Sequence, residues 1–190
     1  MIRIDLKRFI APACMLLLTI VGLQGCRSIP EAESPRAETI ESMAERIVQL
    51  EDREQIRRLL TDYGLCLDRR DFIAFSNLFS ETDGEWIGGM GKAKGRQAIV
   101  ALMEDKIGNP SEETVADNFH LFMNETIDLD GNRAHAETKW IFVVRNDEGR
   151  PEPFYLGHYA DELIKKNGRW KFLRRVVYSE IPEDDPSTNL

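Results

Sequence analysis

The sequence predicts an α+β fold, with N-terminal helices packed on one face of a curved antiparallel sheet. Three observations predict it. Apolar residues recur at helical three- and four-residue spacing only in the first half of the chain. From Phe119 onward the period shortens to two, in four long runs rich in aromatic and β-branched residues. Asp130-Gly131 and Asn167-Gly168 fall between those runs, and such pairs mark tight hairpins because type I′ turns need positive φ. Helices first and a strand meander afterwards is the α+β pattern.

From Thr39 to about Arg69 the residues Ile47, Leu50, Ile56, Leu59, Leu60, Tyr63 and Leu67 make one apolar stripe with charges between, as a long amphipathic helix requires. Asp71 reads as the N-cap of a short second helix whose Phe72, Phe75, Leu78 and Phe79 turn inward. Glu85-Trp86-Ile87 is a short strand, Gly88-Gly89-Met90-Gly91 a turn, and Gly95 to Ile107 a third helix. Phe119–Leu129, Ala134–Val144, Phe154–Ile164 and Trp170–Ser179 are the strands of the meander. Simple alternation on the first of these puts Phe119, Leu121, Met123, Ile127 and Leu129 on one face, and His120, Phe122, Asn124, Thr126 and Asp128 on the other.

The N-terminus belongs to processing and not to the fold. Arg3, Lys7 and Arg8 form a basic start, and Ile10–Leu23 is mostly apolar but short for a membrane span. Leu23-Gln24-Gly25-Cys26 resembles the lipobox of bacterial lipoproteins, with Gln24 its one departure. That resemblance implies cleavage after residue 25, a lipid on Cys26 and a periplasm-facing domain held at the membrane. With Arg27 in place of Asp, it points to the outer membrane. Residues 26–38 then read as a flexible tether, 39–182 as the folded domain, and the acidic 183–190 as a frayed tail.

The formal charge is −8, and removal of residues 1–25 would make it −10, since that segment carries three of the 25 Lys+Arg and one of the 33 Asp+Glu. So acidic a chain is a poor partner for nucleic acid. Cys14 would leave with the signal and Cys26 would be acylated, so Cys66 has no disulfide partner and reads as a small buried hydrophobe. Three scattered histidines, His120, His135 and His158, give no metal signature, and no glycine loop has the spacing to cradle phosphate.

The chemistry rests on two distant segments, Tyr63–Asp68 and Asp117–His120. A fold that joins them sets a carboxylate beside an imidazole, the arrangement in which an acid fixes the ring tautomer and supports a general base. Tyr63 and Asp68 are separated by about 140° around an ideal helix, so they would flank a cavity. Arg175, between apolar strand neighbours, is either a stem-packed surface residue or an inward anion clamp.

Leu67-Asp68-Arg69-Arg70-Asp71-Phe72, Gly95-Arg96-Gln97-Ala98-Ile99 and Asn167-Gly168-Arg169-Trp170-Lys171-Phe172 resemble SnoaL-like members of the nuclear-transport-factor-2-like superfamily, a cone-shaped α+β barrel, over nearly all of residues 40–180. In motif the chain is nearest to scytalone dehydratase, bile-acid dehydratase and hexachlorocyclohexane dehydrochlorinase. The resemblance implies an Asp–His base pair at Asp68 and His120. It places Tyr63 where the bile-acid enzyme has its tyrosine and Arg175 where the dehydrochlorinase has its arginine. It also departs from all three: neither Val143 nor Val144 supplies the further acid or histidine of the dehydratases, and Tyr63 stands where the dehydrochlorinase has lysine. The expectation is therefore a cofactor- and metal-independent lyase, with Phe75, Trp86, Phe119 or Phe122, and Trp140 as apolar wall around a small apolar substrate. An isomerase or hydrolase would use the same residues. The alternative is a non-catalytic ligand-binding or dimerisation module, and the resemblance implies a homo-oligomer, dimer or trimer, in either case.

Overall fold

The computed structural model describes residues 39–108 and 118–182. The expected signal, Cys26 and its tether, Asp117 and the 183–190 tail lie outside the described residues.

Helix α1 spans Ile40–Asp68, and Thr39 caps it by accepting from the Ser42 amide at 3.2 Å. Its second half behaves as the stripe predicts, burying Ile56, Leu59, Leu60, Tyr63 and Leu67. Its first turns do not: Ile47 and Leu50 are more than half exposed. None of the described residues covers them, and periodicity cannot report where a partner surface stops. Asp52 marks where contact begins. Its carboxylate accepts from Trp170 Nε1 at 2.9 Å and pairs with Lys165 at 2.6 Å.

Helix α2 (Phe72–Asn77) starts at the Asp71 cap, whose side chain accepts from the Ala74 amide at 2.9 Å. Strands β1 (Glu85–Gly88) and β2 (Gly91–Lys94) form a small hairpin around the expected glycine turn, and α3 spans Arg96–Ile107. Strands β3 (Asn118–Asp130), β4 (Arg133–Arg145), β5 (Pro151–Lys166) and β6 (Arg169–Ile181) form the meander. The six strands lie in one open sheet in the order β2-β1-β6-β5-β4-β3. All neighbours are antiparallel except β1 and β6, which run parallel. The expected meander thus gains a parallel edge, carrying Trp86 in register with Arg175.

Two bulges overturn the simple alternation. Between Met123 and Thr126 the register of β3 on β4 shifts, and Asn124 takes a left-handed φ of 55°. Before the bulge, Asn118, His120 and Phe122 are the better covered residues; after it, Ile127 and Leu129 are. Phe119 and Leu121 therefore share no face with Ile127. They point away from the helices and are 61% and 49% exposed. On β6 the register shifts again opposite Glu162 and Leu163, so Phe172 and Arg175 are both buried although three residues apart. Arg175 is thereby separated from the face of Leu173 on which alternation puts it. Each bulge adds local twist and re-aims the side chains beyond it.

Candidate active site

Asp68 is the last residue of α1, and His120 lies on β3 before its bulge. Helix and strand come close enough to join them because residue 64 is glycine: a Cβ there would stand 2.6 Å from Phe122 Cε2 and 3.3 Å from the His120 Cβ. At that approach His120 Nδ1 and Asp68 Oδ1 are 2.6 Å apart. The carboxylate also accepts from Asn118 Nδ2 at 3.0 Å and from the His120 backbone amide at 3.1 Å. A carboxylate ringed by N–H groups acts as acceptor to all three, so Nδ1 carries a proton, and in the neutral ring Nε2 is the atom left with the lone pair. The ring packs against Phe142, with centroids 4.7 Å apart.

His120 lines a cavity of about 530 Å³. Its wall is largely aromatic, with Tyr63, Trp86, Trp140, Phe142, Tyr155 and Tyr159. Tyr63 is buried in α1, and Trp86 Nε1 donates to its hydroxyl at 2.9 Å. Since that oxygen accepts from Trp86, its own proton is left to donate elsewhere. Burial raises the Tyr63 phenol pKa above its ordinary value, against the opposing pull of Arg175, so the hydroxyl stays protonated. Tyr159 is pushed well above its ordinary value for the same first reason. Trp140 lies flat on Tyr159, at 5.5 Å and 18°, over Gly157. Its Nε1 is buried without a partner among the described residues.

Arg175 is fully buried and lies behind the cavity wall. Its Nε and Nη2 donate to the two oxygens of Asp161 at 2.7 and 2.6 Å. Its guanidinium carbon stands 4.0–4.2 Å from the ring centroids of Tyr63, Tyr159 and Phe172. Burial pushes the Asp161 carboxyl up and the Arg175 guanidinium down; each charge opposes the other's shift, and for Arg175 the partner's charge wins. The anion-clamp alternative thus meets an internal carboxylate. What the pair can do for the site is hold two phenol rings in place.

Of the expected wall, Trp86 and Trp140 line the cavity. Phe75 does not: it is core, packed beneath Tyr63 at 4.8 Å. Phe122 sits behind the wall, edge-on to Tyr159 at 5.7 Å. Asn118 and Asp161 escaped sequence reading. Asn118 had a signal, being two residues from His120 on the same strand face; Asp161 had none until its register was known. Cys66 is half-buried and free, and burial raises its thiol pKa, so it is no activated nucleophile. His135 is exposed, while His158 stacks on Tyr178 at 4.6 Å and pairs with Glu180 at 2.8 Å on the face of the sheet away from the cavity. Among the described residues no group of three His, Cys, Asp or Glu side chains could hold a metal.

Residues 48–176, more than half of the chain, match the SnoaL-like domain. The chain belongs to the SnoaL-like family. A nuclear-transport-factor-2-like protein of cystatin-like fold from Novosphingobium aromaticivorans is 29% identical, with a TM-score of 0.66 over 74% of this chain and 90% of its own. A protein described as a putative scytalone dehydratase from the same organism is 25% identical, with a TM-score of 0.57 over 70% of this chain and 87% of its own. LinA shares the fold at 18% identity, with a TM-score of 0.59 over 70% of this chain and 89% of its own. No curated protein matches the sequence. The SnoaL-like fold of N-terminal helices on a curved, unclosed sheet is thus shared, and its relatives include a dehydratase by description.

Proposed function

We propose that this SnoaL-like protein is a cofactor-independent lyase of the dehydratase type. The observation that carries the reading is the 2.6 Å Asp68–His120 pair on the wall of an aromatic cavity. His120 Nε2 takes a proton from carbon, and the C–H electron pair becomes the new C=C bond as the β C–O bond breaks. Tyr63, still protonated, gives its proton to the departing hydroxyl, which leaves as water; the proton on His120 returns through solvent to Tyr63. Asp68 supports the imidazolium formed in between. Arg175 acts only through the rings of Tyr63 and Tyr159. The likeness to the dehydratase described above supports the same class. The purified protein is to be screened against small ring-bearing β-hydroxy carbonyl compounds, watching the ultraviolet absorbance of the conjugated alkene. General-base help is worth about 10²–10⁴-fold, so His120→Ala should lose turnover by that factor while its unfolding midpoint stays in place. Turnover that survives the substitution overturns the reading.

The outer face of the sheet favours a second copy as partner. Phe119 stands opposite Val143 and Leu121 opposite Ile141, and Ile181, paired with Leu156, is 62% exposed. A contiguous apolar patch of this kind is a site of association. Leu121→Arg should turn a homo-oligomer into a monomer in sedimentation velocity; a wild-type monomer would refute the pairing. Acylation of Cys26, with the periplasm-facing, outer-membrane location it would bring, belongs to the same proposal.

A further inference from the structure

The cavity is charged opposite to the chain that builds it. The protein carries a formal −8, yet among the described residues its wall bears Arg70 and Lys106 and no carboxylate. Asp68 stands behind the imidazole it holds and is engaged by three N–H groups.

Arg70 takes a left-handed φ of 54° immediately after α1, which turns its side chain across to the end of α3. There Nη1 donates to the Ile107 carbonyl, and to the Gly108 carbonyl at 3.1 Å. These acceptors are neutral. They satisfy hydrogen bonds without cancelling the guanidinium's net charge, and among the described residues Nε is buried with no partner. Lys106, in the last turn of α3, has among the described residues one paired carboxylate, Asp105 at 3.0 Å, and both side chains are about half exposed or more. So exposed a pair is screened and worth little. Two positive charges therefore line a hollow that also carries six aromatic residues, where low-dielectric walls focus their field. The same hollow is lined by Trp140, stacked on Tyr159, and by Trp86 and Phe142. Flat aromatic surfaces suit a flat apolar body.

We infer that the natural substrate is an organic carboxylate carried on an aromatic or alicyclic ring, its ring against Trp140 and Trp86 and its charged end at Arg70 and Lys106. This substrate class rests on the cavity being the reacting site proposed above. It narrows that proposal from small ring-bearing β-hydroxy carbonyl compounds to those that also carry a carboxylate, and it assigns Lys106 a part in choosing among them. Arg70 also closes the end of α3, so Lys106 is the cleaner position to test.

The test uses three probes of one shape on the full-length protein: 2-naphthoate, the neutral 2-naphthamide and cationic 2-naphthylmethylamine. Binding is read by quenching of tryptophan fluorescence, since Trp86 and Trp140 line the cavity, and by shift of the unfolding midpoint. Naphthoate should bind about tenfold more tightly than naphthamide in low salt, the amine most weakly, and the preference should shrink as salt rises. Lys106→Glu should weaken naphthoate about tenfold and leave naphthamide unchanged. Equal binding of acid and amide, no binding of naphthoate at millimolar concentration, or equal loss of both probes in Lys106→Glu overturns the inference. The two proposals fail separately. His120→Ala should still prefer naphthoate, so selective binding without His120-dependent turnover on any carboxylate would refute the lyase alone. His120-dependent turnover with no preference for anions would refute the substrate class alone.

Discussion

Asp68→Asn is expected to lower kcat by about 10²–10⁴-fold, the range that general-base help covers, with little change in KM or in the circular dichroism of the fold. The substitution keeps size and hydrogen bonding almost intact. With its oxygen at the Oδ2 position the asparagine can still accept from the His120 amide, which now reaches Asp68 at 3.1 Å, and the Asn118 side chain, now donating to Oδ1 at 3.0 Å, can flip to accept from the new amide. What it cannot do is accept at every edge. Its amide N–H₂ turned to Nδ1 would be satisfied only by the tautomer that moves the proton to Nε2, and a protonated Nε2 cannot abstract one. The negative charge that supports the imidazolium also vanishes. Loss in kcat with KM held separates this from a packing defect, which would raise KM and lower the unfolding midpoint together. Should Asp68→Asn turn over at the wild-type rate, the pair is structural and the lyase mechanism falls.

The elements of the fold were legible because each depends on local chemistry. Asp71 caps the second helix as its side chain predicts, and Asp130-Gly131 and Asn167-Gly168 turn the hairpins with both glycines at positive φ. The pairing of Asp68 with His120 came from residue type and a family resemblance, not from any pattern that could place them. What sequence could not supply was strand register. Counting back from the Asn167-Gly168 turn puts Asp161 opposite Arg174; the bulge at Leu173 moves Arg175 there instead. Counting from Asp130-Gly131 puts His120 opposite Val143, and the bulge at Asn124 gives it Phe142. A one-residue slip sends every later side chain to the other face. That is why Arg175 meets Asp161 in the core, and why Asp161 went unseen.

Removing either member of the Arg175–Asp161 pair should be the most destabilising single change in the domain, and removing both should be mild. Both side chains have no exposed surface. Arg175→Met leaves a buried carboxylate with no cation, and Asp161→Asn leaves a buried guanidinium with no anion. Each orphaned charge costs about 3–5 kcal/mol, roughly 2–4 °C of unfolding midpoint per kcal/mol for a protein of this size. Arg175→Met with Asp161→Leu removes both charges and keeps apolar volume against Tyr63, Tyr159 and Phe172, whose rings now stand about the guanidinium carbon. The double variant should therefore recover most of the loss, because the desolvation of two charges goes with them. Thermal and urea unfolding of the two single variants and the double give this coupling directly. Activity then separates the two roles open to Arg175. If it only positions the phenols, the refolded double variant keeps turnover within about tenfold, since its apolar replacements still bound those rings. A stable double variant that had lost turnover about 10³-fold or more would instead show the guanidinium's charge acting on the reaction through Tyr63, as electrostatic stabilisation of that size requires.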